Sequence, residues 1–449
     1  MIEDDNEQLR LDISLALTAD DSAAIAKVLK DINIAQIANL LESLPSHQRD
    51  LVWPQIDPVC LGAVLLETGD EVRDNKLKDL SSAEISNIID TLPDVDDQAD
   101  IILALSTDKL VDILHTLDAQ KRKKLESVLS YNDDTAGGLM NIDQITIRAD
   151  VTLDVVLRYL RIRSEMPDHT DQLFVTDRHD HYLGALYLRD LLTNDPDDMV
   201  KNIMRTDVSA MYARISDTEV AREFEYYDLI SAPIVDEQHK LIGRITIDDV
   251  VDVIRDESEH SIMSMAGLGD EEDLFSPALT SAKRRGVWLG INLLTAFLAA
   301  GVIGFFEDIL EQVVALAILI TIVPSMGGIA GSQTLTLAIR GLALGQLGSS
   351  NYNSLIKKEI TIGILNGLIW ALVVASFSII WFENFNIGAI IGFALIVNLI
   401  AGAFAGAVIP VLLRQMGIDP AIAGGVVLTT VTDVIGIIAF LGLATLVLN

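Results

Sequence analysis

Five apolar stretches occupy the last part of the chain, at 286–306, 313–339, 359–382, 387–413 and 421–448. Each is long enough to cross about 30 Å of hydrocarbon as a helix, and only short polar loops separate them. In lipid every backbone N–H and C=O must be paired within the segment, so the region is expected to place five helices in a bilayer. Its basic residues all fall on one side. Lys283, Arg284 and Arg285 precede the first stretch, Arg340, Lys357 and Lys358 follow the second, and Arg414 follows the fourth. The alternate loops, around Glu307, Asp308, Glu311 and Glu383, carry none. The positive-inside rule therefore predicts a cytoplasmic N-terminal half, and an odd number of crossings predicts Asn449 outside. The opening "MIEDDNEQLR" is acidic and lacks an apolar core, unlike a signal peptide, so a multi-pass protein of a plasma (inner) membrane with a cytoplasmic N-terminus is expected.

Charge divides the chain at the same place. Before Lys283 there are 25 Lys+Arg against 58 Asp+Glu, and from Lys283 onward 7 against 7, so the whole net charge of -33 lies in the first part. Such a surface repels nucleic acid, and "KRKK" at 121–124 is too short to reverse that, reading instead as a solvated helix face. Cys60 is the only cysteine, which excludes an intramolecular disulfide and a cysteine-cluster metal site.

Within the acidic part, a phrase returns at intervals of about 24 residues: "LESLP" at 41, "LETGD" at 66, "IDTLP" at 89 and "LHTLD" at 114. Repetition on that scale predicts stacked short helices, each too small to bury its apolar face alone. An ordinary helical bundle is the alternative. After "YNDDTAGGLM" at 131–140, two similar units of about sixty residues follow, each read as a helix, a short apolar strand, an acidic turn, a strand beginning at a glycine, and a closing helix. The fragment "HDH" at 179–181 reads as a hairpin turn, with a metal-ligand set as the alternative. Residues 252–273, "DVIRDESEHSIMSMAGLGDEED", form a dense run of carboxylates leading into the apolar region. Like charges so crowded need water or hard cations between them.

The apolar stretches are more than an anchor. In the second, Pro324, Gly327, Gly328 and Gly331 disfavour a regular helix, while Ser332, Gln333, Thr334 and Thr336 bring polar groups into hydrocarbon. The fourth has Gly402 and Gly406 four apart, suited to close helix packing, with Asn398 before and Pro410 after. The fifth offers Thr429, Thr430, Thr432 and Asp433, with no basic residue beside the carboxylate. An intramembrane carboxylate is costly unless it meets a partner or a watery path. The expectation is a polar path, with candidates Gln333, Asn398, Thr429 and Thr430 along it, whose only buried formal charge is negative and which therefore selects cations. A twofold axis along the fifth stretch would bring two copies of Asp433 to one pore, suited to hydrated Mg²⁺.

The paired units resemble a tandem cystathionine-β-synthase (CBS) domain pair, with Gly184 and Gly243, and Asp190 and Asp249, at matching places. That resemblance implies an adenosine site at Thr246 and Asp249 of "GRITIDD", with ATP as a regulator, whereas Tyr187 replaces the threonine in the first unit. The bland alternative is that Asp249 caps a helix. The order of parts, and the phrases "KRRGVWLGINLLTAFLAAGVIGFFE", "VPSMGGIAGSQTLTLAIRGLALG", "NLIAGAFAGAVIP" and "GIDPAIAGGVVLTTVTDVIGIIAF", resemble the MgtE family of magnesium transporters and channels over essentially the whole chain.

The resemblance implies a multidomain chain. Its parts are an all-α superhelical N-terminal domain at 1–130, an α/β tandem CBS pair at 131–255, an acidic connecting (plug) helix at 256–282 and a membrane domain of five transmembrane helices at 283–449. It implies a homodimer with Asp433 as the pore's Mg²⁺ ligand, closed when cytosolic Mg²⁺ binds Asp228, Asp249, Asp252 and Glu257. His260, Ser261, Ser216 and Thr218 depart from acidic residues common in the family, Ile329 from an asparagine and Val426 from a proline. Another divalent cation, Mn²⁺ or Co²⁺, is the alternative cargo, and a membrane-anchored nucleotide- or metal-sensing regulator without transport is a further alternative. An enzyme is not expected, since there is no phosphate-cradling loop and no nucleophile beside a base.

Overall fold

The computed structural model describes residues 2–448 apart from Asp20, Asp118, Ser164, Glu165, Asp270, Glu271 and Ser349. The expected outer placement of Asn449 therefore lies outside the described residues. The chain divides into two compact units, Met1–Glu259 with Glu271–Pro277, and His260–Asp270 with Ala278–Asn449.

The first unit begins with the helix Ile2–Thr18, followed by a run of short helices. Ile34–Glu42, Leu61–Glu67, Ser82–Ile89 and Thr107–Thr116 each end in one copy of the repeated phrase, and the next helices open at Ser46, Asp70, Val95 and Ala119. The phrase is thus the helix end and the turn beyond it. Asn33 and Ser81 start two of these helices with reciprocal capping boxes to Gln36 and Glu84, which satisfy otherwise orphaned N–H groups. Helices of seven to ten residues are marginal alone and depend on stacking. Their apolar faces fill two adjoining cores, one around Ile13, Leu40 and Leu41, the other around Leu65, Ile85, Ile101 and Ile102.

The two CBS units follow. Strands β1 (Thr146–Arg148), β2 (Gln172–Thr176) and β3 (Tyr182–Tyr187) form one sheet in that order, and β4 (Met211–Tyr212), β5 (Ser231–Val235) and β6 (Leu241–Thr246) form the other. In each, the first pairing is parallel and the second antiparallel. The short leading strands β1 and β4 are too brief to read from periodicity. Gly184 and Gly243 stand third in their strands rather than first, and packing explains why they are glycine. A Cβ on Gly184 would lie 2.3 Å from the Arg205 carbonyl oxygen, and one on Gly243 2.9 Å from that of Asn141. A further backbone segment pairs closely beside the strand at both places, as isolated antiparallel bridges: Ala185 and Arg205 exchange N–H···O bonds of 2.9 and 2.8 Å, and Asn141 and Arg244 two of 2.8 Å.

The acidic stretch 256–282 is not one helix. The CBS closing helix continues as Ile247–Met265, the chain turns at Gly267 with φ +70°, and the next helix starts at Ala278. Gly267 is required there, because a Cβ would meet the Trp288 indole at 2.0 Å.

Among the described residues of the second unit, five helices are long and apolar enough to cross a membrane: Ala278–Gly304, Val314–Ala343, Tyr352–Phe382, Phe385–Gln415 and Pro420–Leu448. They are called spans one to five below. Span two is interrupted, but not at its glycines. Ile322–Ala343 runs as one helix through Gly327, Gly328 and Gly331, and the break falls at residues 320–321. Pro324 cannot donate to the carbonyl four residues back and its ring clashes there, which is the position of Ile320. The glycines serve packing instead. A Cβ on Gly402 would sit 2.5 Å from the Gly327 carbonyl oxygen, and one on Gly406 2.4 Å from that of Gly331, so two glycine pairs spaced by four lock spans two and four backbone to backbone.

Gly402→Ala and Gly406→Ala are each expected to destabilise the membrane unit by about 1–3 kcal/mol through overpacking. Gly301→Ala, where a Cβ meets nothing within 4 Å, is the control expected to leave stability nearly unchanged. Thermal unfolding of the purified full chain in detergent measures all three.

Candidate cation-binding sites

Carboxylates stand out at two places, a lone one in the membrane unit and a group in the first unit. In the membrane unit, Asp433 lies on span five, half-buried, and has no basic partner among the described residues. Ile422, Val426, Thr429 and Asp433 recur at intervals of three and four, which puts them on one helix face, and none is buried by the chain's own helices. The opposite side of the helix is packed: Leu428 and Thr432 are buried against span two near Gly331 and Gly328. Thr429 and Thr430 donate to the carbonyls of Gly425 and Val426, both at 2.8 Å, so their hydroxyl oxygens keep free acceptor capacity. Gln333 is exposed on span two.

Asn398 behaves differently from the expectation that it lines a path. It is fully buried, Gly327 and Gly436 close over it, and its Nδ2 donates to the Val323 carbonyl at 2.7 Å. It joins spans two, four and five next to the proline break. The expectation of a single buried charge also needs correction. Glu359, at the start of span three, is 3 % exposed and accepts a 3.0 Å bond from Thr334 Oγ1, with Lys358 Nζ 3.4 Å from its other oxygen. Position at a span's edge hid it, since hydropathy cannot separate a buried end from a solvated one.

The second concentration lies in the first unit, where the helix Val95–Leu103 approaches the start of Ile247–Met265. Burial, then the neighbouring Asp249, Asp97 and Asp94, push Asp96 up to about 9. Burial, followed by Asp94, Asp100, Asp248 and Asp252, pushes Asp97 to about 7, and burial with Asp248 does the same for Asp249. Asp100 rises to about 6, its burial partly offset by Arg73, and Asp252 rises through burial against the opposing pull of Arg255. Arg244 is a buried cation facing this group, and its guanidinium also donates to the Asp168 carbonyl at 2.7 Å. The result is an oxygen-rich, charge-frustrated cluster, a donor set suited to a hard divalent ion.

Sequence reading named Asp249 and Asp252 but missed Asp94, Asp96, Asp97 and Asp100. "PDVDDQAD" at 93–100 shows the charge density, yet Asp94, Asp96 and Asp97 at a helix start are ordinary dipole partners, and Asp100 one turn on is not marked by any local signal. Asp228 is exposed at the left-handed end of the helix Asp217–Tyr227, with φ 50°, and Glu257 is exposed on the connecting helix. Thr246 is buried and its hydroxyl donates to Asp248 and, at 3.1 Å, to Asp249, while Asp249 also accepts the Thr246 N–H at 3.3 Å. Asp249 thus performs the helix-start role. In the first CBS unit Tyr187 fills the corresponding place, with Arg189 and Arg205 over its ring at 4.5 and 5.4 Å. In the membrane unit His260 Nε2 lies 3.0 Å from Asp419 Oδ2.

Fold and sites together define a multi-pass membrane protein with a helical domain, a CBS pair, an acidic cluster and a carboxylate within an apolar helix. Residues 32–134 match the family described as the MgtE intracellular N domain, 200–256 the CBS domain, and 320–443 the MgtE family described as divalent cation transporter. The magnesium transporter MgtE of Thermus thermophilus is 32% identical over 453 residues, 99% of either chain. That of Bacillus subtilis is 31% identical over 352 residues, 78% of each. A crystal structure of the cytosolic domain of the Mg²⁺ channel MgtE in complex with ATP is 30% identical, covers 54% of this chain and 99% of that one, and has a TM-score of 0.49. The chain belongs to the MgtE family.

The raised acids make stability pH-dependent with a definite sign. A folded pKa above the ordinary 3.8 means that the cluster's contribution is complete below about pH 4 and is lost as pH climbs through about 7 to about 9. In divalent-free buffer the unfolding midpoint of the first unit is expected to fall over that window, and Asp97→Asn to flatten the slope, measured by thermal unfolding at stepped pH.

Proposed function

We propose that this chain carries Mg²⁺ down its electrochemical gradient into the cell, through a pore formed where two copies meet along span five. The observation that carries the reading is Asp433: a carboxylate in an apolar helix, without a basic partner among the described residues, on a face its own chain leaves uncovered. Such a charge is retained where it meets a cation or a watery path. Two copies across a twofold axis would hold a hydrated divalent ion through its waters, with Thr429 and Thr430 beside it and Gln333 as a further lining candidate. Asn398, buried against Val323, supports that path from behind. The relatives' shared name, magnesium transporter, favours Mg²⁺ as the cargo. An inside-negative potential favours entry of a divalent ion by roughly 4.6 kcal/mol per 100 mV, so no hydrolytic engine is needed.

The acidic cluster supplies the control. Asp249 and Asp252, with Asp94, Asp96, Asp97 and Asp100, repel one another when ionised, and Mg²⁺ between them offsets that repulsion and favours the compact, closed arrangement. Asp228 and Glu257 are assigned to the same sensing role by family resemblance. An adenine nucleotide at Thr246 and Asp249 would have to displace the hydrogen bonds those two residues make with each other, which couples nucleotide to metal at Asp249. The N-terminal half is assigned to the cytoplasm of a plasma membrane because every basic residue of the membrane unit lies at the ends of spans on that side.

Reconstituted in liposomes, the wild type is expected to take up Mg²⁺ and Asp433→Asn to lose nearly all flux while still folding and dimerising. Undiminished flux in the variant would overturn the assignment. Competition by Mn²⁺, Co²⁺ and Ca²⁺ ranks the cargo, with Mn²⁺ or Co²⁺ ahead of Mg²⁺ supporting the rival ion. Millimolar Mg²⁺ is expected to slow proteolysis of the acidic half, and equal cleavage with and without it would remove the sensor.

A further inference from the structure

One hairpin of the CBS pair carries more ligand chemistry than its fold requires. Asp177 opens the turn between β2 and β3, and its Oδ1 accepts the N–H groups of His179 at 2.7 Å and His181 at 2.9 Å. The turn between β5 and β6 has the same construction: Asp236 Oδ1 accepts the N–H groups of Gln238 and Lys240, both at 2.9 Å. The two turns lie side by side, with Tyr182 N donating to the His239 carbonyl at 3.1 Å and Leu241 N to that of Asp180 at 2.9 Å. The second CBS unit is therefore an internal control. It makes the turn with an aspartate at the first place and no imidazole at the third or fifth.

In the first CBS unit those two places are histidines, and with Asp177 they offer three ligand atoms that all lie within 4.8 Å of one another. His181 Nδ1 is 2.9 Å and His179 Nδ1 4.0 Å from Asp177 Oδ2. Ligands held at about 2.0–2.2 Å around one tetrahedral ion sit roughly 3.4 Å apart, so a modest side-chain rotation of exposed His179 completes the set. Two arginines of this region are directed to other carboxylates, Arg148 to Asp180 at 3.4 Å and Arg178 to Asp150 at 3.9 Å. Two imidazoles and a carboxylate suit Zn²⁺ and its neighbours, whereas Mg²⁺ prefers an all-oxygen shell.

We propose that Asp177, His179 and His181 bind one divalent transition-metal ion of the Zn²⁺ class, with water in the remaining position. The site differs in donor chemistry from both carboxylate sites described above, and it stands whether or not the transport reading does. It gives the CBS pair a response to transition metal that Mg²⁺ does not elicit.

The test uses the tag-free, chelator-stripped full chain in detergent, titrated with Co²⁺ as a visible probe and then with Zn²⁺. The wild type is expected to bind one equivalent of Co²⁺ with a d–d absorption that Zn²⁺ abolishes and millimolar Mg²⁺ leaves intact. The double variant His179→Gln with His181→Lys, which installs the residues of the second unit's turn, is expected to lose that absorption and weaken Zn²⁺ binding at least tenfold. Its metal-free unfolding midpoint should match the wild type, and His179→Gln alone should weaken binding measurably if the double variant is unstable. Absence of stoichiometric Co²⁺ binding in the wild type, or its survival in the folded variants, would overturn the proposal.

Discussion

Negative charge held where water is scarce, with too few cations of the chain's own to meet it, is the condition around which this protein is organised. In the first unit, Asp96, Asp97 and Asp249 are driven toward their neutral forms by burial and by each other, with Arg244 as a buried counter-charge. In the membrane unit, Asp433 and Glu359 are carboxylates set among apolar helices. A fold that keeps such groups carries a standing electrostatic cost, and a mobile divalent cation is the natural species to lower it. The same physics therefore underlies both the conducting and the sensing roles proposed for the chain.

Helix packing makes the membrane arrangement rigid enough to hold a charge in place. Gly327 and Gly331 meet Gly402 and Gly406 with backbone in contact, and Asn398 ties span four to the Val323 carbonyl beside the break imposed by Pro324. Small residues permit that closeness, and the amide supplies a polar tie in a region without water. Span five packs one face on this frame and leaves the face of Thr429 and Asp433 uncovered. The rigidity of spans two and four is what gives that face a defined position.

Duplication shapes the first unit. Each CBS unit uses a strand glycine to let a bridging backbone segment approach closely, and each hairpin uses an aspartate to close its turn. Where the copies have diverged, the scaffold is unaffected and the chemistry is new. Tyr187 under two arginines replaces the threonine seen at Thr246, and His179 and His181 replace Gln238 and Lys240. Tolerance of exposed turn positions to substitution makes them the places where added function costs the fold least.

Local pattern determined the fold class. Hydropathy marked all five long apolar helices, the recurring phrase marked four helix ends, and strand and turn composition marked two similar α/β units, because each of these depends on residues within a few turns of one another. Asp433 was legible for the same reason, as a lone charge in an apolar run. Only the tertiary structure decided which carboxylates share a cluster, since Asp96 and Asp97 are buried on folding and then repelled by Asp248, Asp249 and Asp252, about 150 residues away in sequence. It likewise decided that Asn398 is a buried tie, that Glu359 is a second buried charge, and that the glycines of span two pack rather than break the helix. Burial is a property of the neighbours a residue acquires on folding, and those neighbours lie beyond the range of any local pattern.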